Sequence, residues 1–289
     1  MATLKIKNLN KTYPNGVHAL DDVNLEISNG MFGLLGPNGA GKSSLMRTLA
    51  TLQDADSGTV TLNDIDIFKH PTELRKVLGY LPQEFGVYPK VSAEQLLDHV
   101  AVLKGVSNSK ERKELIHYLL NKVNLFDKKG QNVKGFSGGM KQRIGIAQAL
   151  IGNPQLIIVD EPTAGLDPGE RNRFHNLLAD VGQEVIIILS THIVDDVREL
   201  CSNMAIMNLG KIVYQGSPIA VMDELKGKVW QKSIERNQIE EYKNNFKVIS
   251  DKMVAGKPII HVYKETNPGD GFAAVDPNLE DVFFTKVYL

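Results

Sequence analysis

Two hydrophobic periods divide this chain. Between residues 4 and 28, Leu4, Ile6, Val23, Leu25 and Ile27 alternate with polar residues, which predicts half-exposed antiparallel strands. Lys11-Thr-Tyr-Pro-Asn-Gly16, lying between them, has the composition of a turn. Three short runs, Met31–Leu35, Leu156–Val159 and Val185–Leu189, are apolar throughout and predict parallel strands buried on both faces. Thr59–Leu62 predicts a further alternating strand, and Leu78–Gln83 a strand that ends abruptly at a proline. Helical spacing follows the first apolar run at Leu45, Met46, Leu49 and Leu52. Residues 92 to 152 read as wholly helical. Ser92-Ala-Glu-Gln95 is a capping box ahead of Leu96, Leu97, Val100 and Leu103, and Leu115, Tyr118, Leu119 and Val123 form a second apolar face. A third helix begins near Phe136-Ser-Gly-Gly-Met140 with Ser137 as its N-cap, and Phe174, Leu177, Leu178 and Val181 mark another.

The character changes at Gly216-Ser-Pro218. A short helix carrying Val221, Met222 and Leu225 is expected, then strands over Lys228–Ile234, Phe246–Ser250 and Ile259–Tyr263, with Gly256 in a turn. Asn267–Gly271 is a loop, and Asp276-Pro277 is expected to cap a last helix with Leu279, Val282, Phe283 and Val287. The expected division is residues 1–215, including a helical subdomain at about 85–152, and a small α+β unit over 216–289. Trp230 reads as core.

Composition narrows the classes. With 289 residues and 42% hydrophobic content the chain can fill a core, and a net charge of −1 gives no electrostatic case for nucleic acid as a partner. One cysteine, Cys201, excludes an internal disulfide and reads as a small core residue. No stretch approaches the ~18 apolar residues of a membrane span, and residues 1–7 lack a signal core.

The chemistry is concentrated at strand ends. Gly36-Pro-Asn-Gly-Ala-Gly-Lys-Ser43 fits the phosphate-binding loop G-x-x-x-x-G-K-[ST], with a predicted strand before it and a helix after it. Gly36, Gly39 and Gly41 allow backbone N–H groups to face phosphate oxygens, Lys42 is placed to reach phosphates, and Ser43 to ligate Mg2+. Asp160-Glu161 puts two carboxylates at the end of a buried strand, an arrangement that calls for a metal or a charged partner. Asp160 suits a Mg2+ ligand and Glu161 a general base. Gln83 and His192 also stand at strand ends, where α/β folds place ligand-contacting groups. His18, His70, His99, His117, His175 and His261 show no partner pattern and read as surface or packing residues. The two glycines after Ser137 are poor helix formers, and suit a helix start that an anion approaches closely. Tyr13 could be a solvated loop residue or a flat surface for a base.

Taken together these residues resemble the ATP-binding subunit of an ABC transporter, over about residues 3 to 215. The resemblance rests on Tyr13, the Walker A loop, Gln83, Ser137-Gly138-Gly139, Asp160-Glu161 and His192 in the family's order, with Ala164–Asp167 matching the D-loop. It implies a P-loop α/β core, that is, a mostly parallel sheet flanked by helices with an antiparallel β subdomain and a helical subdomain. It implies ATP and Mg2+ as cofactors. ATP contacts fall at Tyr13, Gly36, Pro37, Asn38, Gly39, Ala40, Gly41, Lys42, Ser43 and Ser44. Ser137, Gly138, Gly139 and Asp167 are further contacts, and in a head-to-tail pair the Ser137–Gly139 helix start of one copy faces the P-loop of the other. Mg2+ falls to Ser43, Gln83 and Asp160, and catalysis to Glu161, His192 and Gln83. The implied partners are a transmembrane permease and a second nucleotide-binding domain, with the chain peripheral on the inner face of the membrane.

Met140 departs from the family's usual glutamine and cannot make an amide's hydrogen bonds. The segment Pro277–Phe283 resembles the end of ATPases in bacterial drug exporters of the daunorubicin-resistance type, and Leu81–Pro89 also suits that branch. A soluble ABC ATPase that remodels ribosomes, DNA or an iron–sulfur scaffold is the alternative.

Overall fold

The computed structural model describes residues 2–83, 86, 90–163 and 166–289. The alternating N-terminal segment forms β1 (Thr3–Thr12) and β2 (His18–Ser28), paired antiparallel with Leu4 opposite Ile27 and Ile6 opposite Leu25. The first apolar run is β3 (Gly30–Leu35), followed by α1 (Lys42–Leu49). Leu52 lies beyond that helix and is exposed, so its apparent helical spacing is fortuitous. Next come β4 (Ser57–Leu62), β5 (Ile65–Asp66), α2 (Pro71–Val77) and β6 (Leu78–Leu81).

The helical stretch contains α3 (Ala93–Leu103), α4 (Ser109–Lys122) and α5 (Gly138–Ala149), with two short 3₁₀ turns between α4 and α5. Ser92 and Gln95 close the expected capping box on α3, Asn108 caps α4 and Ser137 caps α5. Two expected core positions are corrected: Leu103 and Tyr118 face solvent, and Ile116, Leu119 and Leu120 form the buried face of α4. The remaining core elements are β7 (Leu156–Asp160), α6 (Pro168–Val181), β8 (Ile186–Thr191), α7 (Val194–Leu200), β9 (Asn203–Asn208) and β10 (Lys211–Gly216).

A six-stranded sheet in the order β10-β9-β3-β8-β7-β6 is parallel except for the edge strand β10. Its apolar runs divide residue by residue between two cores, because successive side chains leave a strand on opposite faces. Phe32, Leu34, Leu156, Ile158, Ile186 and Ile188 pack with α1 and with the antiparallel sheet β2-β1-β4-β5. Met31, Leu35, Ile157, Val159, Ile187 and Leu189 pack towards the helices on the other side. Neither face meets water, which is why these runs do not alternate.

Residues 216–289 give α8 (Pro218–Asp223), β11 (Val229–Ser233), α9 (Ile239–Asn245), β12 (Val248–Val254), β13 (Lys257–Tyr263), β14 (Ala273–Ala274) and α10 (Leu279–Tyr288). Helix α9 has no counterpart in the predicted strand pattern, and Phe246 ends that helix by stacking on Tyr242. The cap of α10 is Asn278, in a capping box with Asp281, and not Asp276. Trp230 is half-buried against the small cluster of Ile234, Tyr242, Ile260, Val262 and Phe272, and its Nε1 donates to Lys264 O. Leu279, Val282 and Phe283 of α10 join the same cluster as Val197, Cys201, Met204 and Ile206. Burial pushes the Cys201 thiol up to about 12, which leaves it an inert core group. Leu279→Ala is therefore expected to cost about 2–5 kcal/mol, read as a shift of a single urea transition. A separate early transition would instead mark residues 216–289 as an independent unit.

Candidate functional site

The carboxyl ends of β3, β6, β7 and β8 lie along one edge of the sheet, and the loops that leave them converge there. They enclose a cavity of about 400 Å3 lined by Tyr13, Asn38–Ser44, Gln83, Glu161 and His192. At Gly41 the backbone has φ 106, and a Cβ would fall 2.2 Å from Ala19 O, so only glycine closes this turn. Helix α1 starts directly after it with no side-chain cap, unlike α3, α4, α5 and α6, so no side chain of its own occupies its first N–H groups.

Lys42 is almost fully buried. Its Nζ donates to Gly36 O at 2.7 Å and to Pro37 O at 3.2 Å, and stands 4.0 Å from Glu161 Oε1. Burial lowers its pKa, and the negative charges of Glu161 and Asp160 oppose that shift. Asp160 is likewise buried, and among the described residues its Oδ1 has no hydrogen-bond partner. Burial raises its pKa; the Ser190 hydroxyl pulls it down, Glu161 raises it further, and Lys42 and Ser43 lower it.

Glu161 sits in the left-handed region at φ 46, a conformation that costs a non-glycine residue about 1–3 kcal/mol. Its N–H donates to Ser190 O at 2.8 Å, and its Oε2 lies 3.2 Å from both Gln83 Nε2 and His192 Nδ1. Three side chains drawn from positions 42, 83 and 192 thus meet at one carboxylate. The Tyr13 hydroxyl lies 3.0 Å from Ser44 Oγ and donates to Gln53 Oε1 at 3.0 Å, which holds the ring on the cavity wall. Gln53 is the residue here that sequence reading missed.

Ser137, Gly138, Gly139 and Asp167 do not line this cavity. Ser137 Oγ accepts from Met140 N at 3.3 Å, and Asp167 caps α6 by accepting from Glu170 N at 2.8 Å. Packing also requires glycine at 139, where a Cβ would fall 2.3 Å from Glu170 Oε2. Among the described residues, a Cβ at Gly138 would meet only Leu166, at 3.8 Å. The D-loop positions Ala164 and Gly165, and Glu84, Phe85, Val87, Tyr88 and Pro89 of the Leu81–Pro89 segment, lie outside the described residues. Four histidines read as unpartnered have carboxylate partners: His70 with Glu73, His117 with Glu94, His261 with Asp281, and the buried His175 with Asp196 and Glu199.

A parallel sheet ending in a P-loop, an orphaned aspartate beside a P-loop serine, and a glutamate at the focus of three polar side chains define an ATP-binding cassette, an ATPase domain that takes ATP with Mg2+. Comparison with known proteins agrees. The family model described as ABC transporter matches residues 20–164. The probable multidrug ABC transporter ATP-binding protein YbhF of Escherichia coli K12 is 32% identical over 299 aligned residues, covering 98% of this chain. The chain spans only 51% of that relative's length. The methionine import ATP-binding protein MetN 1 of Acinetobacter baylyi is 35% identical, covering 82% of this chain and 69% of its own. Among solved structures, the dimeric post-hydrolysis state of the ATP-binding cassette MJ0796 bound to ADP and Pi superposes with a TM-score of 0.68 at 26% identity, covering 74% of this chain and 98% of that one. The chain belongs to the ABC transporter family.

Asp160 provides a pH test of the free protein. Its native pKa is raised, so its contribution to stability is full below the ordinary aspartate value and is lost as pH rises through the native value. Asp160→Asn removes that loss. The variant's thermal stability relative to the parent is expected to improve as pH rises through that window, while Mg-ATP stabilises it less than the parent. A pH-independent difference between the two melting curves would contradict the buried-charge account.

Proposed function

We propose that this chain is the ATP-hydrolysing subunit of a membrane exporter and that Glu161 is its general base. The convergence of Gln83, His192 and Lys42 on the Glu161 carboxylate carries this reading. Gln83 and His192 hold Oε2, which leaves the carboxylate oriented towards the cavity to position a water and take its proton. Lys42 offers the P-loop's buried cation to the phosphates, and Tyr13 presents its ring to the base. Ser43 and Asp160 would hold Mg2+, since one carboxylate and one hydroxyl alongside substrate phosphates is a common donor set, and Asp160 Oδ1 otherwise lacks a partner. A cation held by these two side chains would supply charge neutralisation at the phosphates.

Ser137, Gly138, Gly139 and Asp167 stand apart from this cavity, and they serve a nucleotide only across a pair of cassettes. The dimeric state of the structural neighbour supports that arrangement. Two features favour export. YbhF, whose name marks it as a multidrug protein, aligns over 98% of the chain and so through residues 216–289, against 82% for the methionine-import relative. The Pro277–Phe283 segment points the same way. A transmembrane permease is the partner this reading requires; among the described residues no helix is long and apolar enough to cross a membrane.

Extraction in mild detergent is expected to bring down a polytopic membrane protein with the chain. Recovery of ribosomes, nucleic acid or a soluble scaffold in its place would overturn the transporter reading and leave the ATPase chemistry intact. Glu161→Gln is expected to bind Mg-ATP and to turn it over some ~10²–10⁴ times more slowly, accumulating an ATP-dependent dimer on gel filtration. Lys42→Ala is expected to lose nucleotide affinity by equilibrium binding, and unchanged affinity would remove it from the phosphate site.

A further inference from the structure

One fully buried carboxylate joins the two segments that deliver Glu161 and His192. Asp196, in the first turn of α7, has no exposed surface. Its Oδ1 accepts from Arg171 Nε at 2.8 Å and from His175 Nε2 at 2.9 Å, both on α6. Its Oδ2 accepts from Thr163 Oγ1 at 2.6 Å and from Thr191 Oγ1 at 3.3 Å. The four acceptor positions of the carboxylate are thereby filled. These donors hold its pKa below the ordinary range although burial pushes the other way.

The division of the two oxygens matters. Oδ1 anchors a helix, whereas Oδ2 spans the ends of β7 and β8. Thr163 is two residues after Glu161, and Thr191 immediately precedes His192. Thr191 Oγ1 also accepts from the Ile193 N–H at 2.9 Å, so one hydroxyl fixes the backbone on both sides of His192. Stability alone is a poor reason for this arrangement, since a buried ionic cluster is often no more stabilising than apolar residues of the same volume. What it supplies is a fixed distance between two strand ends.

We infer that Asp196 is a positioning residue for hydrolysis: by bracing Thr163 and Thr191 it sets the 3.2 Å contact between Glu161 Oε2 and His192 Nδ1. It does not line the cavity and acts only through the segments it holds. The inference rests on the reading of Glu161 as general base.

The test is steady-state Mg-ATP hydrolysis by Thr163→Val, Thr163→Ser and Asp196→Asn, each in the parent chain and with Glu161→Gln. Thr163→Val leaves Arg171, His175 and Asp196 paired, so it tests the brace without an unpaired buried charge. It is expected to lower kcat by about tenfold or more, the scale of a small misplacement of reacting groups, with KM for ATP within about twofold. Thr163→Ser restores the hydroxyl and the rate. In the Glu161→Gln background Thr163→Val and Asp196→Asn are expected to add almost nothing, because the group they position is gone. Equal proportional losses in both backgrounds, tracking a loss of folded protein by circular dichroism, would overturn the inference. So would a folded Thr163→Val with the parent's kcat. Failure of the underlying reading is seen separately, as full turnover by Glu161→Gln alone.

Discussion

A strand buried on both faces has no surface on which to carry a charge, so β3, β7 and β8 shed their polar groups only at their carboxyl ends. The two hydrophobic cores on either side of the sheet are thus the cause of the site's location as well as of the fold's stability. Parallel pairing puts those ends along one edge, and strand order puts β3 beside β8 and β8 beside β7. Residues far apart in sequence are then neighbours without any loop having to reach.

Three charged groups at that edge are only partly solvated, and each limits the others. Two adjacent carboxylates, one ending β7 and the next just beyond it, would repel in a dry environment. Lys42 offsets them at the cost of its own hydration, held by the carbonyls of Gly36 and Pro37. Gln83 donates a hydrogen bond to the Glu161 carboxylate, and the His192 ring stands 3.2 Å from the same oxygen. Asp160 receives the least help and keeps one oxygen unpaired. The left-handed backbone at Glu161 fits this balance, for it turns two successive side chains to different tasks.

Much of this was legible in the sequence because it is local. Period-two alternation, unbroken apolar runs, the Ser92 box and the P-loop each signal their structure within a dozen residues. What was not legible depends on contacts between distant segments. Leu103 and Tyr118 have the right spacing for a core, but among the described residues no element covers them and both are exposed. Nothing in the sequence signals that Gly139 also makes room for Glu170, a residue on another helix. Asp196 follows another aspartate at a helix start, the composition of a solvated turn, and its partner Thr163 lies 33 residues away. His175 was unremarkable for the same reason.

The unpaired oxygen of Asp160 has a consequence for the life of the subunit in a cell. A folded state that holds desolvated charges in its free form is most fragile when idle, and any bound counter-charge lengthens its survival. A ligand present at a thousand times its dissociation constant adds about 4 kcal/mol to the folded state. Proteases sample the transiently opened chain, so abundance follows occupancy. By this linkage, nucleotide-loaded copies are expected to outlast empty ones.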